Sequence, residues 1–132
     1  FTCDVFVDFE LNIRCVVPRN RIETRAGEVS KACIIKNKEI MNRTAQLVKT
    51  LGAGPGVITV QLILTDDNKI KFIELNPRFG GGVPLSIKAG ANFPKWILQL
   101  LTGKSPKIKF DGFENNLLML RYDEEIWLKK AL

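Results

Sequence analysis

Two apolar runs separated by five polar residues constrain this chain more than any other feature. Residues 57–64 read VITVQLIL and residues 70–76 read IKFIELN, with Thr65-Asp66-Asp67-Asn68-Lys69 between them. β-Branched and aromatic residues fill the runs and turn formers fill the gap, so the pair is expected to be a β-hairpin. A loop centred on Asp67-Asn68 pairs Thr65 with Ile70, Gln61 with Glu74 and Thr59 with Asn76. Gln61 and Glu74 then stand directly opposite, with Cβ atoms roughly 5 Å apart. Asn76 points to the same face two residues along.

That register gathers one carboxylate and two amide oxygens on one patch of sheet. Oxygen donors with few carboxylates suit a hard divalent cation, above all Mg²⁺, which keeps further positions for water or phosphate. Arg78 follows two residues after Asn76 and supplies a planar donor fork suited to phosphate. An ordinary alternative stands beside this: a cross-strand Gln61–Glu74 hydrogen bond and a Glu74–Arg78 salt bridge. Two features favour the ligand reading. Polar side chains on otherwise apolar strands need partners. The glycines at 80–82 also let backbone approach a ligand and permit unusual dihedrals.

Elsewhere the chain mixes strands and helices without regular alternation. Residues 3–9 and 12–17 read as a hairpin turning at Glu10-Leu11, with Pro18 ending the second strand. Residues 19–29 are polar and Gly-containing and read as flexible, and 30–35 as a short strand. Asn37 caps an amphipathic helix over 38–51 that stops at Gly52. Pro84–Ala89 reads as a short helix, and Asn92 caps another running to Gly103. Residues 104–115 form a basic, irregular link, 116–122 a last strand, and the terminal segment is expected to be helical. The class is α+β, with a largely antiparallel sheet and flanking helices.

A chain of 132 residues fits one domain with a modest core. It contains no apolar run of membrane length and no signal peptide, so a cytoplasmic setting without membrane contact is expected. Histidine is absent, and Cys3, Cys15 and Cys33 lack metal-site spacing, so zinc is not expected and the thiols read as small core hydrophobes. The net charge of +6 includes a cluster at Arg19, Arg21 and Arg25 and a basic stretch at Lys104, Lys107 and Lys109. A polyanion, a small anionic ligand or a solvated face could account for them. Aromatics are not interleaved with these residues, which argues against nucleic acid. Asp66 and Asp67 read as turn residues, Phe93 and Trp96 as core, and Asp123, Glu124 and Glu125 as a solvated charge run. The opening Phe1-Thr2-Cys3-Asp4-Val5 reads as a strand interior. A piece of a longer protein is therefore expected, with a sheet edge that a second copy could cover as a homodimer.

The segment GVITVQLILTDDNKIKFIELNPRFGGGVPLSIKAGANFP resembles the metal- and nucleotide-binding end of ATP-grasp enzymes, particularly the carbamoyl-phosphate synthase large chain. The shared core is an acid or glutamine on one strand and E-x-N-P-R on the next, and the likeness runs from FTCDVFVD to about MLRYDEEIW. It implies that residues 1–132 are the carboxy-terminal part of an ATP-grasp domain. It also implies ATP and Mg²⁺, with Mn²⁺ as a substitute, as cofactors. Gln61, Glu74 and Asn76 would be metal ligands, with Glu74 bridging two ions. Arg78 would contact the transferring phosphate or the acyl phosphate. Asp4 would hold the ribose hydroxyls, and Arg25 would lie near the γ-phosphate, where the synthase tends to have histidine.

The implied parent reaction is ATP-dependent activation of a small carboxylate as an acyl phosphate, followed by attack of an amine or other nucleophile. The amino-terminal ATP-grasp half, with its Gly-rich loop, lysines and adenine-binding hinge, is the expected partner. Without it the chain is expected to bind ATP weakly and not to turn over. A non-catalytic module and a basic nucleic-acid-binding domain are the competing readings.

Overall fold

The computed structural model describes residues 1–122 and 124–129. Its strands are β1 (Thr2–Val7), β2 (Ile13–Arg25), β3 (Glu28–Ile34), β4 (Gly56–Leu64), β5 (Ile70–Asn76) and β6 (Leu118–Leu120). Helices α1 (Lys38–Thr50), α2 (Val83–Lys88) and α3 (Phe93–Leu101) complete the α+β arrangement. The strands form one sheet in the order β5-β4-β1-β2-β3-β6, with every neighbouring pair antiparallel. No helix among the described residues is long and apolar enough to cross a membrane.

Side-chain alternation divides the sheet into two faces. Cys3, Val5 and Val60 lie under α1, where the Thr44 hydroxyl donates to Cys3 Sγ at 3.6 Å. On the opposite face Phe6 packs against Phe93 and Trp96 of α3, with ring centroids 6.1 and 5.4 Å away. Phe93 and Trp96 therefore serve as core, as expected. Burial pushes the thiols of Cys3 and Cys15 up to about 12, so both are inert hydrophobes at neutral pH.

Helix ends follow their local chemistry. Asn37 and Asn92 accept from the backbone N–H groups of Ile40 and Lys95 at 3.0 and 3.1 Å. Gly52 ends α1 at φ 61°, a conformation that favours glycine. The first hairpin turns as expected. Asp8 Oδ1 accepts from the N–H groups of Glu10 and Asn12, and Arg14 donates to Oδ2 at 2.9 Å. Burial alone would raise the Asp8 carboxyl, but the hydrogen bonds from Arg14, Asn12 and Glu10 together outweigh it and hold the group below its ordinary value.

Several expectations need correction. Pro18 does not end β2, which continues to Arg25, so much of 19–29 is strand rather than flexible link. The Pro18 carbonyl accepts from Ile35 N–H at 3.1 Å. Its hydrogen-less nitrogen therefore faces the region just past the last residue of β3, where no ladder bond is forfeited. The opening strand β1 is not a sheet edge, because β2 and β4 flank it; the edges are β5 and β6. The last strand is three residues long. Residues 124–129 form no helix, and Ile126, Trp127 and Leu128 are exposed. Asp123 of the expected charge run lies outside the described residues, while Glu124 and Glu125 are exposed.

Candidate functional site

The β4–β5 hairpin places the candidate ligands. Thr59 pairs with Asn76 and Gln61 with Glu74, as the alternation predicts. Toward the turn the register slips: Leu62 pairs with Phe72 and Leu64, not Thr65, with Ile70. Ile73 is the extra residue of this bulge. The loop is asymmetric, because Thr65 N–H donates to Lys69 O at 3.0 Å and Asn68 adopts φ 58°. The slip has a packing reason. Strict alternation would set Ile70 and Phe72 on the face of Glu74 and Asn76. The bulge moves them to the face of Leu62 and Leu64, leaving Glu74 and Asn76 beside Gln61. Asp67 is a turn residue, held by Lys69 at 2.7 Å and by the Thr65 hydroxyl.

Two amides converge on Glu74 Oε1. Gln61 Nε2 donates to it at 2.5 Å and Asn76 Nδ2 at 2.9 Å. Arg21 Nη1 donates to Gln61 Oε1 at 3.1 Å and its Nη2 to the Gly27 carbonyl at 3.1 Å. Glu74 is exposed and Gln61 and Asn76 are half-buried, so the apolar neighbours of Glu74 do not desolvate it as expected. β5 is an edge strand, and its Phe72 and Ile73 are themselves exposed.

Among the described residues no cluster of three or more His, Cys, Asp or Glu could hold a metal. A cation here would rest on one carboxylate and two amides. Turning both amides about their last side-chain torsion would direct two oxygens and a carboxylate to one point, so the donor chemistry fits Mg²⁺ or Mn²⁺. The plain cross-strand hydrogen bond and the ligand set are thus the same residues in two orientations.

Next to these residues lies an open cleft of about 200 Å³, lined by Thr2, Arg19, Arg21, Gln61, Arg78 and Gly80–Gly82 among others. Arg78 sits at the exposed rim. Its guanidinium donates to the Phe79 carbonyl at 3.1 Å, and its own carbonyl accepts from the Thr59 hydroxyl at 2.8 Å. Arg25, exposed at the β2–β3 turn, lines a neighbouring cleft of about 190 Å³ with Glu28, Ser30 and Arg121. The basic cluster is therefore split, with Arg19 and Arg21 in one cleft and Arg25 in the next.

Asp4 corrects the ribose expectation. It is completely buried, and Arg19 grips it in a bidentate pair at 2.7 and 2.9 Å. Ser86 of α2 donates to the same carboxylate at 2.6 Å. A ligand hydroxyl has no access to it. Arg19, itself 1% exposed, is likewise no solvated surface charge.

The glycine run also has another cause. None of Gly80, Gly81 and Gly82 adopts a positive φ. A Cβ on Gly82 would lie 2.0 Å from Arg19 Nη1, and one on Gly80 would lie 3.1 Å from Thr59. These two glycines make room for a buried guanidinium and a hydroxyl. Sequence reasoning did not find the Asp4–Arg19–Ser86 network, although Val17, Arg19 and Arg21 continue the alternation of β2 past Pro18.

The family model described as "ATP-grasp in the biosynthetic pathway with Ter operon" matches residues 1–121. The fold is similar to the biotin carboxylase subunit of pyruvate carboxylase, at TM-score 0.66 and 20% identity, over 89% of this chain and 28% of that one. It is also similar to the phosphoribosylaminoimidazole carboxylase ATPase subunit from Aquifex aeolicus, at TM-score 0.60 and 20% identity, over 83% and 34%. A third likeness is to the biotin carboxylase domain of Hydrogenobacter thermophilus 2-oxoglutarate carboxylase, in complex with MgADP, ADP and bicarbonate. Its TM-score is 0.64 at 17% identity, over 89% and 27%. The chain thus spans about a third or less of these solved structures. No curated protein matches the sequence.

Proposed function

The chain belongs to the ATP-grasp family, and from that premise we propose that it is the ATP- and Mg²⁺-binding carboxy-terminal part of a carboxylate-activating ligase of carbamoyl-phosphate-synthase-like type. The observation that carries this reading is the convergence of Gln61 and Asn76 on Glu74 beside an arginine-lined cleft. MgADP in the 2-oxoglutarate carboxylase domain supports the choice of nucleotide.

Gln61, Glu74 and Asn76 would hold Mg²⁺, or Mn²⁺ in its place. When bound, the ion supplies charge that offsets the β- and γ-phosphates. Arg78 at the rim would orient the transferring phosphoryl group and the acyl phosphate. Arg21 and Arg78 make the cleft positive before any ligand arrives, and Arg25 would approach the γ-phosphate from the neighbouring cleft. A substrate carboxylate oxygen attacks the γ-phosphorus and ADP leaves. An amine or other nucleophile then displaces phosphate from the acyl phosphate. No protein nucleophile enters either step.

The rest of the clasp would come from an amino-terminal ATP-grasp half, and a cytoplasmic setting fits the inert thiols. A module inactive without that half is the second reading, supported by the chain's share of the solved structures. Calorimetric titration with MgADP separates the readings. Weak binding that disappears in Glu74→Ala supports the nucleotide site. Binding that emerges only after an amino-terminal half is added supports the dependent module. Equal binding by wild type and Glu74→Ala overturns the assignment of Glu74.

A further inference from the structure

Gln61 lies between a group that can only donate and a group that, when ionised, can only accept. Arg21 Nη1 faces its oxygen at 3.1 Å and Glu74 Oε1 faces its nitrogen at 2.5 Å. This orientation is dictated by chemistry, because a guanidinium has no acceptor and a carboxylate has no proton to give. It directs the Gln61 oxygen away from Glu74. A cation held jointly by Glu74 and Gln61 needs the opposite orientation. Reversing the amide would set Gln61 Nε2–H against Arg21 Nη1–H, two donors with no acceptor between them.

Resting on the cation reading above, we propose that Arg21 is a positioning residue that gates the cation site. It holds Gln61 turned away until an oxyanion in the cleft accepts its Nη1–H groups. The cleft is built for that exchange. Arg19 and Arg78 line it together with Arg21. Arg21 Nη2 stays tethered to the Gly27 carbonyl at 3.1 Å, so Nη1 can change partner without the side chain leaving the cleft. Cation and oxyanion then bind cooperatively, each removing the obstacle to the other, and the coupling is reciprocal. A phosphate or sulfate-like group is the class of anion that satisfies a guanidinium fork. The device would keep the site closed to free divalent ions and open it to an ion that arrives with phosphate.

The test measures Mn²⁺ binding to the full chain by the loss of the free-ion electron paramagnetic resonance signal. Sodium sulfate is the oxyanion probe, with protein-free blanks at each concentration. Arg21→Met, Gln61→Met and the double variant complete a cycle that separates amide orientation from simple removal of a positive charge. Wild type is expected to bind Mn²⁺ more tightly with sulfate. Arg21→Met is expected to bind about tenfold more tightly than wild type without sulfate and to lose the sulfate response. In the Gln61→Met background the same arginine change should give a clearly smaller gain, since charge removal alone remains. Equal gains in both backgrounds, or an unchanged sulfate response in Arg21→Met, would overturn the gate. Glu74→Gln distinguishes the two levels. If Mn²⁺ binding in Arg21→Met is insensitive to Glu74→Gln, the cation site itself fails. If that substitution abolishes binding and the cycle shows no coupling, the gate alone fails.

Discussion

Two acid-centred clusters share one face of the sheet, and they behave differently. Asp4, on the interior strand β1, is completely buried and has Arg19 and Ser86 on its carboxylate. Glu74, on the edge strand β5, is exposed and accepts from Gln61 and Asn76 through one oxygen. Both are acids facing polar partners across a sheet. The first is closed by α2 and by the glycine run, so its charge is spent inside the protein. The second opens beside a cleft, and its partners are amides that can present either a donor or an oxygen. An acid on this face becomes structural or ligand-ready according to what lies over it.

The largest effect should come from cutting the closed cluster. Arg19→Met leaves Asp4 buried without its counter-charge, and urea denaturation should show a loss of about 3–5 kcal/mol. A loss under about 1 kcal/mol would mean that Asp4 is hydrated and the contrast with Glu74 is false. Gly82→Ala comes next. Its methyl group meets a guanidinium pinned by Asp4, so the variant should lose about 1–3 kcal/mol. Gly81→Ala, with open space around the new carbon, should lose less.

Glu74→Gln tests the open cluster. Unfolding stability should stay within about 0.5 kcal/mol of wild type, as for other exposed sites. Mn²⁺ affinity should fall about tenfold or more, since even indirect partners of a metal matter on that scale. A stability loss equal to that of Arg19→Met would make the two clusters equivalent. The smallest effect concerns Asp8, which follows the last residue of β1. Its folded value lies below the ordinary one, so its contribution is present above an ordinary pKa of about 3.9 and is lost as pH falls through the lower folded value. Asp8→Asn should flatten that part of the stability–pH curve. An unchanged acid limb would remove Asp8 from the account.

Much of the frame was legible in the sequence because it rests on local chemistry. The caps at Asn37 and Asn92, the stop at Gly52, and the pairing of Gln61 with Glu74 follow from residue type and short-range geometry. The miss at Pro18 had a non-local cause, since a proline in a strand is harmless only where its neighbour has already ended. The bulge at Ile73 likewise depends on which face of the sheet receives Ile70, which packs against the core. Legibility stopped at Asp4. An acid at the start of a strand looks the same whether it meets a ligand or a buried arginine.

The sequence by itself determined the α+β class, the hairpin that carries Gln61, Glu74 and Asn76, and the family to which the chain belongs. Tertiary structure decided which polar residues are already satisfied. Alternation along a strand sets the face a side chain takes, a property of neighbouring residues. Burial and counter-charge depend on segments far apart in the chain, as where Ser86 of α2 reaches Asp4 of β1 and Gly82 leaves space for Arg19.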